Sequence, residues 1–297
     1  MSSTFEEEYT EISGVLMEYG GLVTPLLVGG VWDALRQCCA EIRLSGPQQP
    51  SDRAAAERRI NEILETHVFN PSAMAYLIYR ALNTQHLSDY SYLVELAAFH
   101  YYKSEFASSI SVMLPAVEGV LRSYAGWSFK QFLSDGQDLK SHELRKYLIN
   151  GKALSEPERH SLYASSLATF HERWLFVRTA KADFNLSYLN RNYVLHQLGT
   201  NCFYRSIDCH RLFLFFDLFA ELLALEGKGV NEPFTPHGVA AIDRRQEHYE
   251  RLQDGALTVS QARSTEDMFL REHRTYVPQP RMDADEILQR VAKIMFA

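Results

Sequence analysis

Between Arg205 and Leu225 the chain carries a helix-length run whose middle, Leu212-Phe213-Leu214-Phe215-Phe216-Asp217-Leu218-Phe219, is apolar on nearly every face. A helix at a protein surface needs only one apolar stripe, so a helix apolar all round must be buried by its own domain or by a subunit partner. The run from Leu212 to Leu225 is interrupted by Asp217 and Glu221 and is too short to span a bilayer. It therefore calls for a shell of other elements around it. Phe213, Phe216 and Phe219, three residues apart, read as packing side chains rather than base-stacking ones.

The shell is predicted to be helical, because helical periodicity dominates and alternating strands are missing. The fold expected is an all-α helical bundle with extra helices at both ends. Residues 11–43 read as one or two helices, broken around Gly20-Gly21 and Pro25, and residues 44–51 read as a Gly, Pro and Ser linker. Asp52 opens a helix to about His67, and Pro71-Ser72 precedes another over Ala73 to Asn83. A long apolar run from Asp89 to Tyr124 is expected to kink or divide near Pro115, where a helix hydrogen bond is lost. Helix resumes over Ser141 to Ile149. Ser155 then reads as the cap of a helix with Pro157 in its first turn, running to about Ala180. Beyond Gly229 the chain is more polar, with a final amphipathic helix over Asp283 to Phe296. These readings divide the chain into an amino-terminal helical accessory region (1–88), a helical core (89–228) and a carboxy-terminal helical extension (229–297).

A chain of 297 residues with 46% hydrophobic and 23% charged residues can bury one substantial core or two modest ones, and it reads as globular rather than disordered. Four cysteines make no disulfide framework, and Met1 to Glu11 is too polar and acidic for a signal peptide. The expected location is cytoplasmic, with no membrane partner. The nucleotide-binding Gly-x-x-x-x-Gly-Lys loop, the dinucleotide fingerprint, the His-Glu-x-x-His zinc helix and the Gly-x-Ser-x-Gly elbow are all absent. No cofactor and no metal are expected. His196, Cys202, Cys209 and His210 contain no Cys-x-x-Cys pair to support tetrahedral zinc.

The formal net charge of −7 does not favour polyanions, yet residues 170–215 are locally basic, with a net of +3. Arg178, Lys181, Arg205 and Arg211 are the candidates for holding a nucleic-acid strand there. The plainer alternative is an ordinary run of solvated helix arginines. Three arginines are followed by a histidine after four to six residues: Arg80 to His86, Arg191 to His196 and Arg205 to His210. With 22 Arg and 11 His, about two such pairs arise by chance, so only context can choose among them.

Leu189-Asn190-Arg191-Asn192-Tyr193-Val194-Leu195-His196, followed by the apolar helix from Arg211, resembles the final part of HEPN domains. The segment from Phe106 to Arg122 resembles the earlier core helix of that family, which often carries an acidic residue, here Glu118. The resemblance covers roughly residues 89–228. It implies an all-α and usually dimeric fold, and in many members a metal-independent endoribonuclease. It also implies that Arg191 and His196 are the catalytic pair and Asn192 the polar residue after the arginine. Glu118 would support them, unless it only makes a helix salt bridge with Arg122. The sequence departs from the family pattern after the histidine, where Gln197 and Leu198 precede Gly199 in place of an immediate small residue. The expected partners are RNA, a second copy of the chain and a restraining protein such as an antitoxin, in a defence or stress role. Two other readings remain open: a catalytically silent module that binds RNA or a nucleotide, and a helical interaction protein.

Overall fold

The computed structural model describes residues 3–24, 30–46, 50–126, 141–175, 189, 205–229 and 239–275, and among them every regular element is a helix. In chain order these are α1 (Ser3–Glu18), α2 (Gly30–Ser45), α3 (Pro50–His67), α4 (Pro71–Leu82), α5 (Ser91–Tyr102), α6 (Phe106–Tyr124), α7 (Ser141–Ile149), α8 (Pro157–Phe170), α9 (Ser206–Leu225), α10 (Ala240–Gln253) and α11 (Val259–Thr275). The chain is an all-α bundle. None of its described helices is long and apolar enough to cross a membrane.

Helix α9 is the axis of the assembly. All of its residues except Ser206 and Glu221 are buried, and α3, α4, α6 and α8 pack around it. Phe213, Phe216 and Phe219 are fully enclosed, so the aromatic stripe is core. Each such side chain contributes about 1.5–3 kcal/mol by leaving water. The helix is buried within its own chain. One contiguous cluster of buried apolar residues runs from Tyr9 to Phe269, across the positions 88/89 and 228/229.

Local chemistry explains most of the boundaries. The Asn70 side chain accepts a hydrogen bond from Ala73 N (2.9 Å) with Pro71 at the first helical position, so α4 starts two residues before the expected Ala73. The division of the long apolar run falls at Lys103–Glu105 and not near Pro115, around which α6 is continuous. Ser104 has φ of 60°, and the turn closes through Glu105 N to His100 O (2.8 Å). Proline removes one hydrogen bond, but Met113, Leu114, Ala116 and Val117 are buried on either side of it, and that packing holds the helix through the defect.

Ser155 is not the cap of α8. Glu156 occupies that position with φ of 47° and without a side-chain cap, while the Leu154 and Ser155 amides donate to Leu225 O (2.9 and 3.3 Å). The loop is thus used to close the carboxyl end of α9. After Phe170 the helix widens into a π turn, His171–Leu175. The expected continuation to Ala180, and the final helix over 283–296, lie outside the described residues.

Helices α10 and α11 fall in the carboxy-terminal extension, where extra helices were expected; their individual bounds were not, because their apolar stripes are narrow. Ile242, Tyr249 and Leu252 on α10, and Ala262 and Phe269 on α11, face α4 and α5. The rest of their buried surface is polar: Arg245 and His248 belong to the core.

Candidate functional site

Arg178, Lys181, Arg191, Asn192 and His196 lie outside the described residues. The chain on either side is firmly held. Leu189 is fully buried, and Arg205 leads directly into α9.

Arg205 and Arg211 meet at the start of α9 around two carboxylates. Arg205 Nη1 donates to Glu57 Oε2 (3.0 Å) and its Nε to Asp208 Oδ2 (3.3 Å). Arg211 Nη1 donates to Asp208 Oδ1 (2.6 Å), and its Nη2 reaches Glu57 Oε1 (2.6 Å) and Tyr19 O (2.5 Å). Its guanidinium also lies over the Trp174 ring at 4.8 Å. Burial alone would push the Glu57 carboxyl up, but the two guanidinium groups outweigh it and hold the group below the usual carboxylate range. Gly20 makes this closeness possible. Its φ is 75°, and a Cβ there would come within 2.6 Å of Arg211 Nε. Arg211 is 1% exposed, and its hydrogen bonds all go to protein acceptors, so here it fastens α1 and α3 to α9. Arg205 keeps a partly exposed edge.

The two other arginine–histidine pairs are structural. Arg80, 2% exposed, donates to Asp217 Oδ1 (2.5 Å) and Glu221 Oε2 (2.7 Å) on α9. His86 turns to Ser123 Oγ (3.0 Å) instead. His210 is fully buried, stacked on Phe69 with ring centroids 4.4 Å apart. Its Nδ1 faces Asn61 Oδ1 (2.7 Å) and its Nε2 faces the Tyr101 hydroxyl (2.8 Å). A neutral imidazole has one donor and one acceptor, and these neighbours use both. Burial, helped by the nearby Arg211, lowers its pKa to about 3. Neither pair sets a guanidinium and a titrating imidazole on a common exposed surface.

Comparison with known protein families, characterised proteins and solved structures finds no match.

Glu118 pairs with Arg122 one turn further along α6, the helix salt bridge expected from their spacing. Its other expected neighbours, Arg191 and His196, are outside the described residues.

Two polar clusters escaped the sequence reading. In the first, Glu226 at the end of α9 accepts from Tyr124 Oη (2.7 Å), His160 Nε2 (3.0 Å) and Lys228 Nζ (2.7 Å). Burial would raise this carboxyl, but the three donors outweigh it and keep it low. Gly151 packs directly on the cluster, where a Cβ would lie 2.3 Å from Glu226 Oε1. Gly151→Ala is therefore expected to cost about 1–3 kcal/mol through overpacking. Urea unfolding measures this directly, and an unchanged midpoint would mean that Glu226 yields without penalty.

In the second cluster, Glu95 is fully buried and accepts from Arg245 Nε (2.7 Å), Arg245 Nη2 (3.2 Å), Tyr249 Oη (3.2 Å) and His273 Nε2. His273 Nδ1 in turn meets Ser91 Oγ at 2.8 Å. The order serine, histidine, glutamate has the form of a nucleophile relay. The Ser91 proton, however, goes to Ser88 O (2.8 Å), and the hydroxyl is fully buried. This chain of bonds clamps α10 and α11 onto α5. Members of both clusters lie up to 182 residues apart in sequence, so no spacing motif could have revealed them.

Proposed function

We propose that the protein is a metal-independent endoribonuclease of HEPN type in which Arg191 and His196 form the catalytic pair. The observation that carries this reading is the internal use of the competing pairs. Arg80 and His210 are both committed to the core, which leaves Arg191 and His196 as the candidate that the surrounding sequence also favours. The all-α bundle built around α9 agrees with the fold that the resemblance implies.

In the proposed reaction the 2′-oxygen of a ribose attacks the adjacent phosphorus and the bond to the 5′-oxygen breaks. The products are a 2′,3′-cyclic phosphate and a 5′-hydroxyl. His196 takes the 2′-hydroxyl proton or delivers one to the leaving oxygen. Arg191 neutralises the charge that builds on the non-bridging oxygens, and Asn192 orients the phosphate. A second copy of the chain supplies the second imidazole, so that one acts as base and the other as acid. Glu118 supports the pair, and Arg178, Lys181 and the exposed edge of Arg205 guide the strand. The biological setting proposed is cytoplasmic defence or stress, restrained by an antitoxin-like partner.

The test is cleavage of a labelled RNA in EDTA. Wild type is expected to yield cyclic-phosphate ends, and His196→Ala and Arg191→Ala each to slow cleavage by at least about 100-fold. Equal rates in wild type and His196→Ala would remove the catalytic assignment.

A second reading is a catalytically silent module that binds RNA or a nucleotide, or one kept for protein assembly. It is favoured by one observation: Glu57 and Asp208 match the charges of Arg205 and Arg211, so the start of α9 offers an approaching phosphate little net positive charge. Saturable RNA binding without cleavage would select the silent RNA-binding form of this reading.

A further inference from the structure

A cleft of about 580 Å³ opens where the α5–α6 turn meets the end of α10 and the start of α11. None of its lining residues is among those named for the proposed ribonuclease centre. Its polar lining has three parts, the first being His100 and Glu105, whose Nδ1 and Oε2 lie 2.5 Å apart. Lys103 and Glu266 face each other at its base, with Nζ 2.6 Å from Oε1. Arg251 and Arg263 stand exposed at its edge, and neither makes an ion pair among the described residues. One wall, Leu252 and Leu257, is apolar.

Most other arginines described here are tied to carboxylates. Arg36, Arg43, Arg59, Arg80, Arg122, Arg145, Arg159, Arg205, Arg211, Arg244 and Arg245 all have such partners. Two uncommitted guanidinium groups lining one concavity are therefore distinctive. Behind the base lies a second unusual feature. His248 is 4% exposed, and its Nε2 is buried without a hydrogen bond, 3.9 Å from Glu266 Oε1. That oxygen is the one that Lys103 Nζ meets at 2.6 Å, so the Glu266 carboxylate links the buried histidine to the lysine of the cleft. A histidine packed between Phe99 and Phe269 that leaves a polar atom unsatisfied beside a cleft carboxylate is costly as structure alone.

We infer that this cleft binds a small phosphate monoester with a hydroxylated body, held by Arg251 and Arg263 at the phosphate and by Glu266 at a hydroxyl. Paired guanidinium groups suit the oxygens of a phosphate. The Glu266 carboxylate accepts from a hydroxyl, with Lys103 beside it to balance its charge. The wall formed by Leu252 and Leu257 covers the carbon face of the ligand. The volume is in the range of ordinary small-molecule sites and is too small for a folded partner.

The test uses full-length protein and three probes: ribose 5-phosphate, inorganic phosphate and ribose, each titrated by calorimetry. Ribose 5-phosphate is expected to bind saturably and more tightly than inorganic phosphate, with ribose alone not binding. The double variant Arg251→Ala/Arg263→Ala changes only exposed side chains and is expected to weaken ribose 5-phosphate binding at least about tenfold. Glu266→Gln is expected to weaken ribose 5-phosphate binding while sparing inorganic phosphate. His196→Ala is expected to bind as wild type does, which separates this site from the proposed ribonuclease centre. Absence of saturable binding by wild type, or equal affinity in the arginine double variant, would overturn the site. Equal affinity for ribose 5-phosphate and inorganic phosphate would overturn the role of the hydroxylated body.

Discussion

Replacing Arg80 with alanine is expected to cost the fold about 3–5 kcal/mol, the penalty for stranding a buried charge. Arg80 reaches from α4 into the middle of α9, where Asp217 and Glu221 lie one turn apart. Asp217 is fully enclosed, so in the variant its carboxylate loses the guanidinium and gains no water. The three groups are not equivalent. Burial pushes the Glu221 carboxyl up, against the pull of Arg80, and Asp217 adds to the rise, so this group can become neutral more easily. Burial disfavours the charged form of Arg80 too, but the two carboxylates outweigh it and hold the guanidinium charged. Arg80→Met combined with Asp217→Leu removes both buried charges and fills the space with apolar atoms. That double variant is expected to recover more than half of the loss, because the penalty belongs to the unmatched charge rather than to the missing pair. Guanidinium unfolding of both variants distinguishes these contributions. A loss below about 1 kcal/mol in Arg80→Ala would mean that solvent reaches Asp217 and that the cluster is not part of a dry core.

The same cluster shows what was legible in the sequence. Asp217 and Glu221 were visible as interruptions that ruled out a membrane span, and the all-round apolarity of Leu212 to Phe219 correctly required a buried helix. The location of the matching cation was not visible, because Arg80 lies 137 residues away from Asp217. Periodicity reports which face of a helix is apolar and nothing about which helix will meet it. Ser141 to Ile149 was legible as helix-compatible sequence, a local property of the segment itself. The break at Ser104 was not, since a non-glycine residue with positive φ leaves no mark in composition. The carboxy-terminal extension was legible as helical, but the bounds and inner faces of α10 and α11 were not, because Arg245 and His273 read as solvent-facing residues until Glu95 is brought beside them. Of the candidate site residues that are described, Arg211 is internal, Arg205 is part exposed, and Glu118 is matched to Arg122.

Acidification is expected to unfold the protein earlier than its carboxylates alone would require. His171 and His210 are buried, and burial lowers the pKa of each to about 3; Arg211 adds to the effect on His210. In the unfolded chain both return to about 6.5. A histidine whose folded pKa lies below its unfolded one stabilises the fold fully above the unfolded value, and this contribution drains away as the pH falls towards the folded value. Between pH 6.5 and 3 the unfolded state therefore binds up to two more protons than the folded state through this pair. The slope approaches about 2.7 kcal/mol per pH unit. His86, lowered by burial and by Lys228, acts in the same direction. The carboxylates held low by their partners, Glu57, Glu95, Glu226 and Glu266, lose their contributions only as the pH falls from about 4.5. Glu221, raised, has the opposite sign and favours the fold at low pH. The interval from pH 6.5 to 5 thus lies above the titration of the lowered carboxylates, and Glu221 is common to both proteins compared across it. Urea midpoints measured across it should fall steeply for wild type. In His210→Gln, whose amide keeps a donor and an acceptor for Asn61 and Tyr101 but does not titrate, the slope should drop by about one proton. Comparing slopes rather than absolute stabilities removes any constant cost of the substitution. If the two slopes coincide, His210 is protonated in the folded state and its enclosure between Phe69, Tyr101 and Asn61 opens in solution.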